Sequence, residues 1–198
     1  LYCEGDDMAI NYRKCPECNS RNVIKILYGE PTGEALFMEA QGKIKLGGCL
    51  ITDIDPEYYC NDCANEWNKK EVVDKAYGDI EGIKTSVGGY FGGYYEIDID
   101  FTSRKLEWSF QVGVGENTYY SKTIRKATLE RFVEGLKVVN LLNWKNNYID
   151  LDILDGTQWN IEIKQGAKIR EISGDNKFPK EWDNFCNLMK WVSEKNFR

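Results

Sequence analysis

The sequence predicts an α+β protein in two parts: a β-rich N-terminal segment, then an antiparallel-sheet domain with two helices in a ββα-ββα-like order. Three observations lead there. Two C-x-x-C pairs, Cys15-Pro16-Glu17-Cys18 and Cys60-Asn61-Asp62-Cys63, bracket short β-branched runs. Later segments alternate apolar and polar residues with the period of a half-buried strand. Between and after those strands, apolar residues recur three and four apart, as on one face of a helix.

Taken in order, residues 1–7 precede Met8, read as a candidate expression remnant, and stay outside the fold reasoning. The first domain is expected over 8–74. Val23-Ile24-Lys25-Ile26-Leu27-Tyr28 reads as a strand leaving the first cysteine pair, and Glu34–Ala40 as a short helix. Lys43–Ile51 reads as a second strand whose Gly47-Gly48 pair marks a bulge or a close backbone approach, with Cys49 inside it as a buried residue. Tyr58 and Tyr59 lead into the second pair, and Trp67 follows it, where an aromatic ring can cover a metal.

Six glycines between Gly78 and Gly93 punctuate tyrosines and Phe91, so 75–93 is expected to be a linker. The second domain is expected over 94–198. Tyr95, Ile97, Ile99 and Phe101 form one face of a strand, and Leu106, Trp108, Phe110 and Val112 one face of the next. Leu129, Phe132, Val133, Leu136 and Val139 then line a helix. Ile149, Leu151 and Ile153 open the second round, and Asp155-Gly156 is a turn signal joining them to Trp159, Ile161 and Ile163 as a hairpin. A shorter strand near 168–172 follows. Pro179 opens a last helix with Trp182, Phe185, Cys186, Met189 and Val192 on one face.

The chemistry is narrowed by what is missing. Among 198 residues there is no histidine, which removes Ser-His-Asp and Cys-His nucleophiles, the H-E-x-x-H metalloprotease and the usual imidazole base. No G-x-x-x-x-G-K-[ST] phosphate loop occurs. The net charge of −6 repels phosphate backbones, so nucleic acid would be met indirectly or through a local basic patch such as Arg13, Lys14, Arg21 and Lys25. No apolar run is long enough for a membrane span and no secretory pattern is visible, so a cytoplasmic protein is expected.

Cys15, Cys18, Cys60 and Cys63 are the expected ligands of a structural Zn²⁺. Two C-x-x-C turns bring four thiolates to one tetrahedral ion, and Asn19 suits the left-handed position that closes such a turn. A redox pair is the rival, but neither pair is followed by a helical pattern. The pieces Lys14-Cys15-Pro16-Glu17-Cys18, Ile26-Leu27-Tyr28-Gly29-Glu30-Pro31, Leu46-Gly47-Gly48-Cys49 and Pro56–Cys63 with Trp67 together resemble a family of small bacterial zinc-ribbon proteins. That resemblance covers about the first third of the chain and implies the ribbon, with no activity attached. The later part, with Asn143-Trp144-Lys145, Asp155–Trp159 and Asn176–Pro179, looks like an uncharacterised bacterial α+β module.

A closed four-thiolate site leaves no position for water, so surfaces are the first expectation for function: a non-enzymatic accessory protein that binds a larger protein or nucleic-acid machinery and self-associates. Trp191 lies about 160° from the apolar face of the last helix and is the expected anchor for a partner or a homodimer. The competing expectation is a Mg²⁺-dependent nuclease of the D…E-x-K type, with Asp155 and Glu162 holding the metal and Lys164 orienting water. Direct nucleic-acid binding by the ribbon is a third. Glu96, Asp98 and Asp100 share one strand face, as do Asp150 and Asp152, and read as a solvated sheet surface.

Overall fold

The computed structural model describes residues 10–89, 92–113, 115, 117–150 and 156–198. The fold is α+β. Two compact units divide the described residues, Ile10–Ala76 and Tyr77–Arg198.

In the first unit β1 (Val23–Leu27), α1 (Gly33–Ala40), β2 (Ile44–Leu46), β3 (Tyr58–Cys60) and β4 (Glu66–Trp67) form a sheet in the order β2-β1-β3-β4. Three β-branched residues favour β1 as a strand. Helix α1 starts at Thr32, whose side chain accepts from the Ala35 N–H at 3.2 Å, with Glu34 in the first turn. It stops where Gly42 takes a φ of 67°. The chain returns through α1, so β2 lies parallel to β1, with Lys25 opposite Ile44 and Leu27 opposite Leu46.

The second strand is shorter than its composition suggests. Regular pairing ends at Leu46 opposite Leu27; beyond it only the Gly47 N–H to Leu27 carbonyl (2.8 Å) and Gly29 N–H to Gly48 carbonyl (3.1 Å) bonds remain, with Gly29 at φ 100°. Cys49 is therefore exposed and outside the strand, not buried within it. Gly47 does mark a close approach: a Cβ there would fall 2.3 Å from the Tyr28 ring, whose hydroxyl donates to the Pro56 carbonyl at 2.9 Å.

The stretch 75–93, expected to be a linker, holds the end of α2 (Lys69–Gly78) and the strand β5 (Gly82–Gly89). Gly82, Gly88, Gly89 and Gly93 within it serve close packing. A Cβ on Gly88 would lie 2.3 Å from the Gly93 carbonyl oxygen and 2.7 Å from the Tyr94 ring, and one on Gly89 2.7 Å from the Gly156 carbonyl oxygen. β5 is followed by β6 (Gly93–Asp100), β7 (Lys105–Gln111), β8 (Thr118–Thr123), α3 (Lys126–Val138) and a 3₁₀ turn at Leu141–Asn143. Then come β9 (Asn147–Ile149), β10 (Thr157–Gln165), β11 (Lys168–Asp175) and α4 (Trp182–Ser193). The sheet order is β8-β7-β6-β5-β10-β11-β9. The simple ββα-ββα plan is thus widened to four strands, a helix, three strands and a helix.

One expected pairing is replaced. β10 is flanked by β5 and β11, and β9 runs parallel to β11 with Ser173 opposite Asn147, so β9 and β10 form no hairpin. The hairpin is β10–β11, turning at Gly166 (φ 56°) and Ala167 between the paired Gln165 and Lys168. Asp155 lies outside the described residues.

Both helices pack on one face of this sheet. Ile83, Val87, Ile97, Ile99, Ile161 and Ile163 are buried there, as are Phe132 and Leu136 of α3. Trp182, Phe185, Cys186, Met189 and Val192 of α4 are buried as their spacing predicts. Rings lock the layers: Phe101 meets Phe132 edge-on at 6.0 Å, and Trp159 lies 4.5 Å from Trp182. Arg170, buried beside them, donates to the carbonyls of Leu142 (2.6 Å) and Trp144 and to Asn146 Oδ1 (3.0 Å), tying β11 to the loop after α3.

Candidate metal centre

The two cysteine turns repeat one backbone design. In the first, the Asn19 N–H donates to the Cys15 carbonyl (3.0 Å), and the Cys15 N–H donates to the Ser20 carbonyl (2.9 Å). In the second, Ala64 N–H donates to Cys60 (2.9 Å) and Cys60 N–H to Asn65 (2.9 Å). The residue after each second cysteine is left-handed, with φ 59° at both Asn19 and Ala64. Asn adopts that conformation readily; Ala does so at a cost of about 1–2 kcal/mol. Strand β3 ends at Cys60 and pairs Val23 with it, which sets the second turn against the first.

The result gathers four sulfurs. Cys15 Sγ lies 3.6 Å from Cys63 Sγ, Cys18 Sγ lies 3.5 Å from Cys60 Sγ, and all four lie within 4.8 Å of one another. Bonds of about 2.3 Å from sulfur to a tetrahedral ion require S–S edges of about 3.8 Å. The donor set and its spacing fit one metal ion, in a zinc-ribbon-like motif. Cys15 and Cys60 are buried, while Cys18 and Cys63 reach the surface.

Electrostatics points the same way. Burial pushes the Cys15 thiol up, yet the backbone N–H groups of Cys18 and Glu17 and the neighbouring thiols of Cys63 and Cys18 outweigh it and bring it to about 7. At Cys63 the Asn65 N–H favours the thiolate, but the thiols of Cys18, Cys15 and Cys60 and burial push it up to about 12. Four thiols sharing one site cannot all ionise without a cation, and a bound cation keeps its thiol ligands deprotonated.

The surroundings hold the turns in place. Asp62 accepts from Ser20 Oγ (2.5 Å) and from Asn22 Nδ2 (2.7 Å), so the second turn is braced to the chain leaving the first. These donors hold its carboxyl below the usual range, the Ser20 hydroxyl most. Trp67 covers the site as expected: it is buried with Cys15, Tyr58 and Cys60, stacks on Tyr58 at 5.8 Å, and donates to the Tyr12 carbonyl at 3.1 Å. The Asp62 brace is absent from the sequence reading. Its one signal is the Ser20-x-Asn22 pair placed just beyond the first turn.

The other candidates are placed less compactly. Glu162 and Lys164 alternate with buried Ile161 and Ile163 on β10 and share the face away from the helices. Lys164 pairs with Glu81 at 3.7 Å. Asp155, the third member of the nuclease set, lies outside the described residues. Trp191 is 42% exposed, with the Arg131 guanidinium of α3 lying 5.3 Å over its ring. Arg13, Lys14, Arg21 and Lys25 are all exposed. No helix among the described residues is long and apolar enough to cross a membrane.

No family model matches this chain, and no curated protein matches it in sequence.

Proposed function

We propose that Cys15, Cys18, Cys60 and Cys63 hold one structural Zn²⁺ and that the protein works by binding a macromolecular partner, not by catalysis. The observation that carries this reading is the closed group of four sulfurs. Each coordination position of a tetrahedral ion is taken by a side chain of this chain, so none remains for water or substrate. A chain with no histidine has few other routes to nucleophilic or acid–base chemistry near neutrality. Thiolate ligands need a reducing compartment, which makes the cytoplasm the proposed location. Zinc ribbons commonly serve as accessory pieces of nucleic-acid machinery, which by analogy is the proposed setting for the partner. Trp191, half exposed on α4, is the proposed anchor for self-association.

Metal analysis combined with peptide-mapped alkylation tests the site. The expected outcome is one zinc per chain, slow alkylation of the four ligands, and immediate alkylation of exposed Cys49. Iron in the site, or four freely reactive thiols, would contradict the reading. The parent chain should show no Mg²⁺-dependent cleavage of DNA, and Lys164→Ala should leave the biological effect intact; such cleavage, lost in Lys164→Ala, would establish the nuclease instead. Light scattering on Trp191→Ala should show a smaller species than the parent chain, and an unchanged mass would remove Trp191 from the account.

A further inference from the structure

Within Tyr77–Arg198 the seven-stranded sheet carries both helices on one face and, among the described residues of that unit, nothing on the other. Resting on the partner-binding reading above, we propose that this uncovered face is the docking surface and that its occupant is a cationic, arginine- and lysine-rich protein segment.

The sheet register assembles what the sequence scatters. Glu107, Asp98, Lys84, Glu162 and Glu171 stand directly opposite one another on β7, β6, β5, β10 and β11. At about 4.8 Å per strand the row runs about 19 Å across the sheet. It contains two like-charge neighbours, Asp98 opposite Glu107 and Glu162 opposite Glu171, and such pairs destabilise a sheet. The single ammonium in the row, Lys84, lies 3.4 Å from Glu96 in the next row. Burial pushes the Asp98 carboxyl up; Lys84 opposes this, and Glu107, Glu96 and Asp100 add to it. Lys105 Nζ already reaches Glu107 at 2.5 Å, so a cation from outside would chiefly offset the repulsion between Glu162 and Glu171 and the acidic surroundings of Asp98.

The relief and chemistry of the face match such an occupant. A cavity of about 450 Å³ opens over Lys84, Glu96, Asp98, Glu107, Ser109 and Tyr119. A second, of about 350 Å³, opens over Ser86, Tyr94, Gln158, Asn160, Ser173 and Asp175. Gln158, Asn160 and Asp175 line the second with side chains that carry acceptor oxygens. Guanidinium and ammonium groups are pure donors. Tyr119, 69% exposed, stands at one side, while Tyr94 lies across Gly88 towards Gln158, which its hydroxyl reaches at 3.5 Å. Two exposed tyrosines beside carboxylates can stack on cations.

Charge decides between occupants. A nucleic-acid backbone would meet the carboxylate row with the same sign, and a second copy of the chain would set that row against itself. A basic segment alone is complementary.

The test uses the zinc-loaded full chain and a nona-arginine peptide at about 150 mM salt, where exposed charges are screened beyond about 8 Å. Hydrogen exchange should slow on peptide binding in β5, β6, β7 and β10. The variant D98N/E107Q/E162Q/E171Q should bind at least about tenfold more weakly. A control with the same change in net charge, E30Q/E34Q/D53N/E130Q, should stay within about twofold of the parent. Tyr119→Ala, at a site too exposed to endanger folding, should weaken binding about threefold. Equal losses in the two charge variants, a footprint outside these strands, or competition at this face by a single-stranded oligonucleotide would overturn the proposal. A footprint on the ribbon or around Trp191 would move the docking surface and leave the partner-binding reading standing. Loss of that reading would show instead as Mg²⁺-dependent cleavage by the parent chain.

Discussion

The two compact units bury very different amounts of apolar material. In Ile10–Ala76 the clustered buried residues are Cys15, Tyr58, Cys60 and Trp67, and two of these four are sulfurs of the metal site. In Tyr77–Arg198 two helices lay Phe132, Leu136, Phe185 and Met189, each 0% exposed, against the isoleucines of a seven-stranded sheet. A core as small as the first does not offset the conformational entropy of a folded chain, and the Zn²⁺ proposed for the four cysteines would supply the difference. The second needs no such aid. On the sheet face away from its helices it carries opposed carboxylates.

The comparison breaks first at the metal. Cys60→Ser should remove on the order of 10 kcal/mol of metal-linked folding free energy. Metal content should fall to zero and proteolysis should concentrate in Ile10–Ala76, while the tryptophan near-ultraviolet circular dichroism of the sheet unit persists. Phe185→Ala should act on the other side. A fully buried ring that touches Trp144 and Trp182 is lost, at about 3–5 kcal/mol. Urea unfolding should show that loss in the sheet unit with zinc content unchanged.

Smaller changes sharpen the contrast. Ala64→Gly relieves a left-handed alanine at φ 59° and should stabilise the ribbon by about 1 kcal/mol, read as slower zinc loss to a chelator. Asp98→Asn should raise the denaturation midpoint of the sheet unit at pH 7. The folded carboxyl is raised by burial and by its acidic neighbours against Lys84, so its ionisation opposes folding. That penalty is absent below the unfolded pKa of about 3.9 and grows as pH rises through the folded value. The gain from asparagine should therefore shrink at pH 3. A midpoint lowered at pH 7 would mean that Asp98 stabilises the sheet it sits on.

What the sequence revealed follows the same divide. Cys15, Cys18, Cys60 and Cys63 were legible because ligand spacing is local, and Asn19 was legible because few residues tolerate its conformation. The buried face of α4 was legible because five large apolar residues keep the helical period. β5 was hidden because Gly82, Gly88 and Gly89 read as flexibility, when each marks a backbone or ring packed within 3.1 Å of where a Cβ would stand. β8 was missed because Thr118–Thr123 is an edge strand with little apolar alternation. The partner of β9 and the carboxylate row depend on strand order, which long-range packing sets and no local pattern records. Cys49 was misplaced because the strand ends at Leu46, five residues before the Ile51 that its composition implies.

Hydrogen exchange on the zinc-loaded chain, with and without a strong chelator, tests most directly whether an ion holds one unit while a hydrophobic core holds the other. Chelation should bring the amides of β1, β3 and β4 to near unfolded rates and leave those of β5, β6 and β10 protected. Unchanged protection in β1 and β3 after complete zinc removal would contradict the account, as would simultaneous loss of protection in β5, β6 and β10.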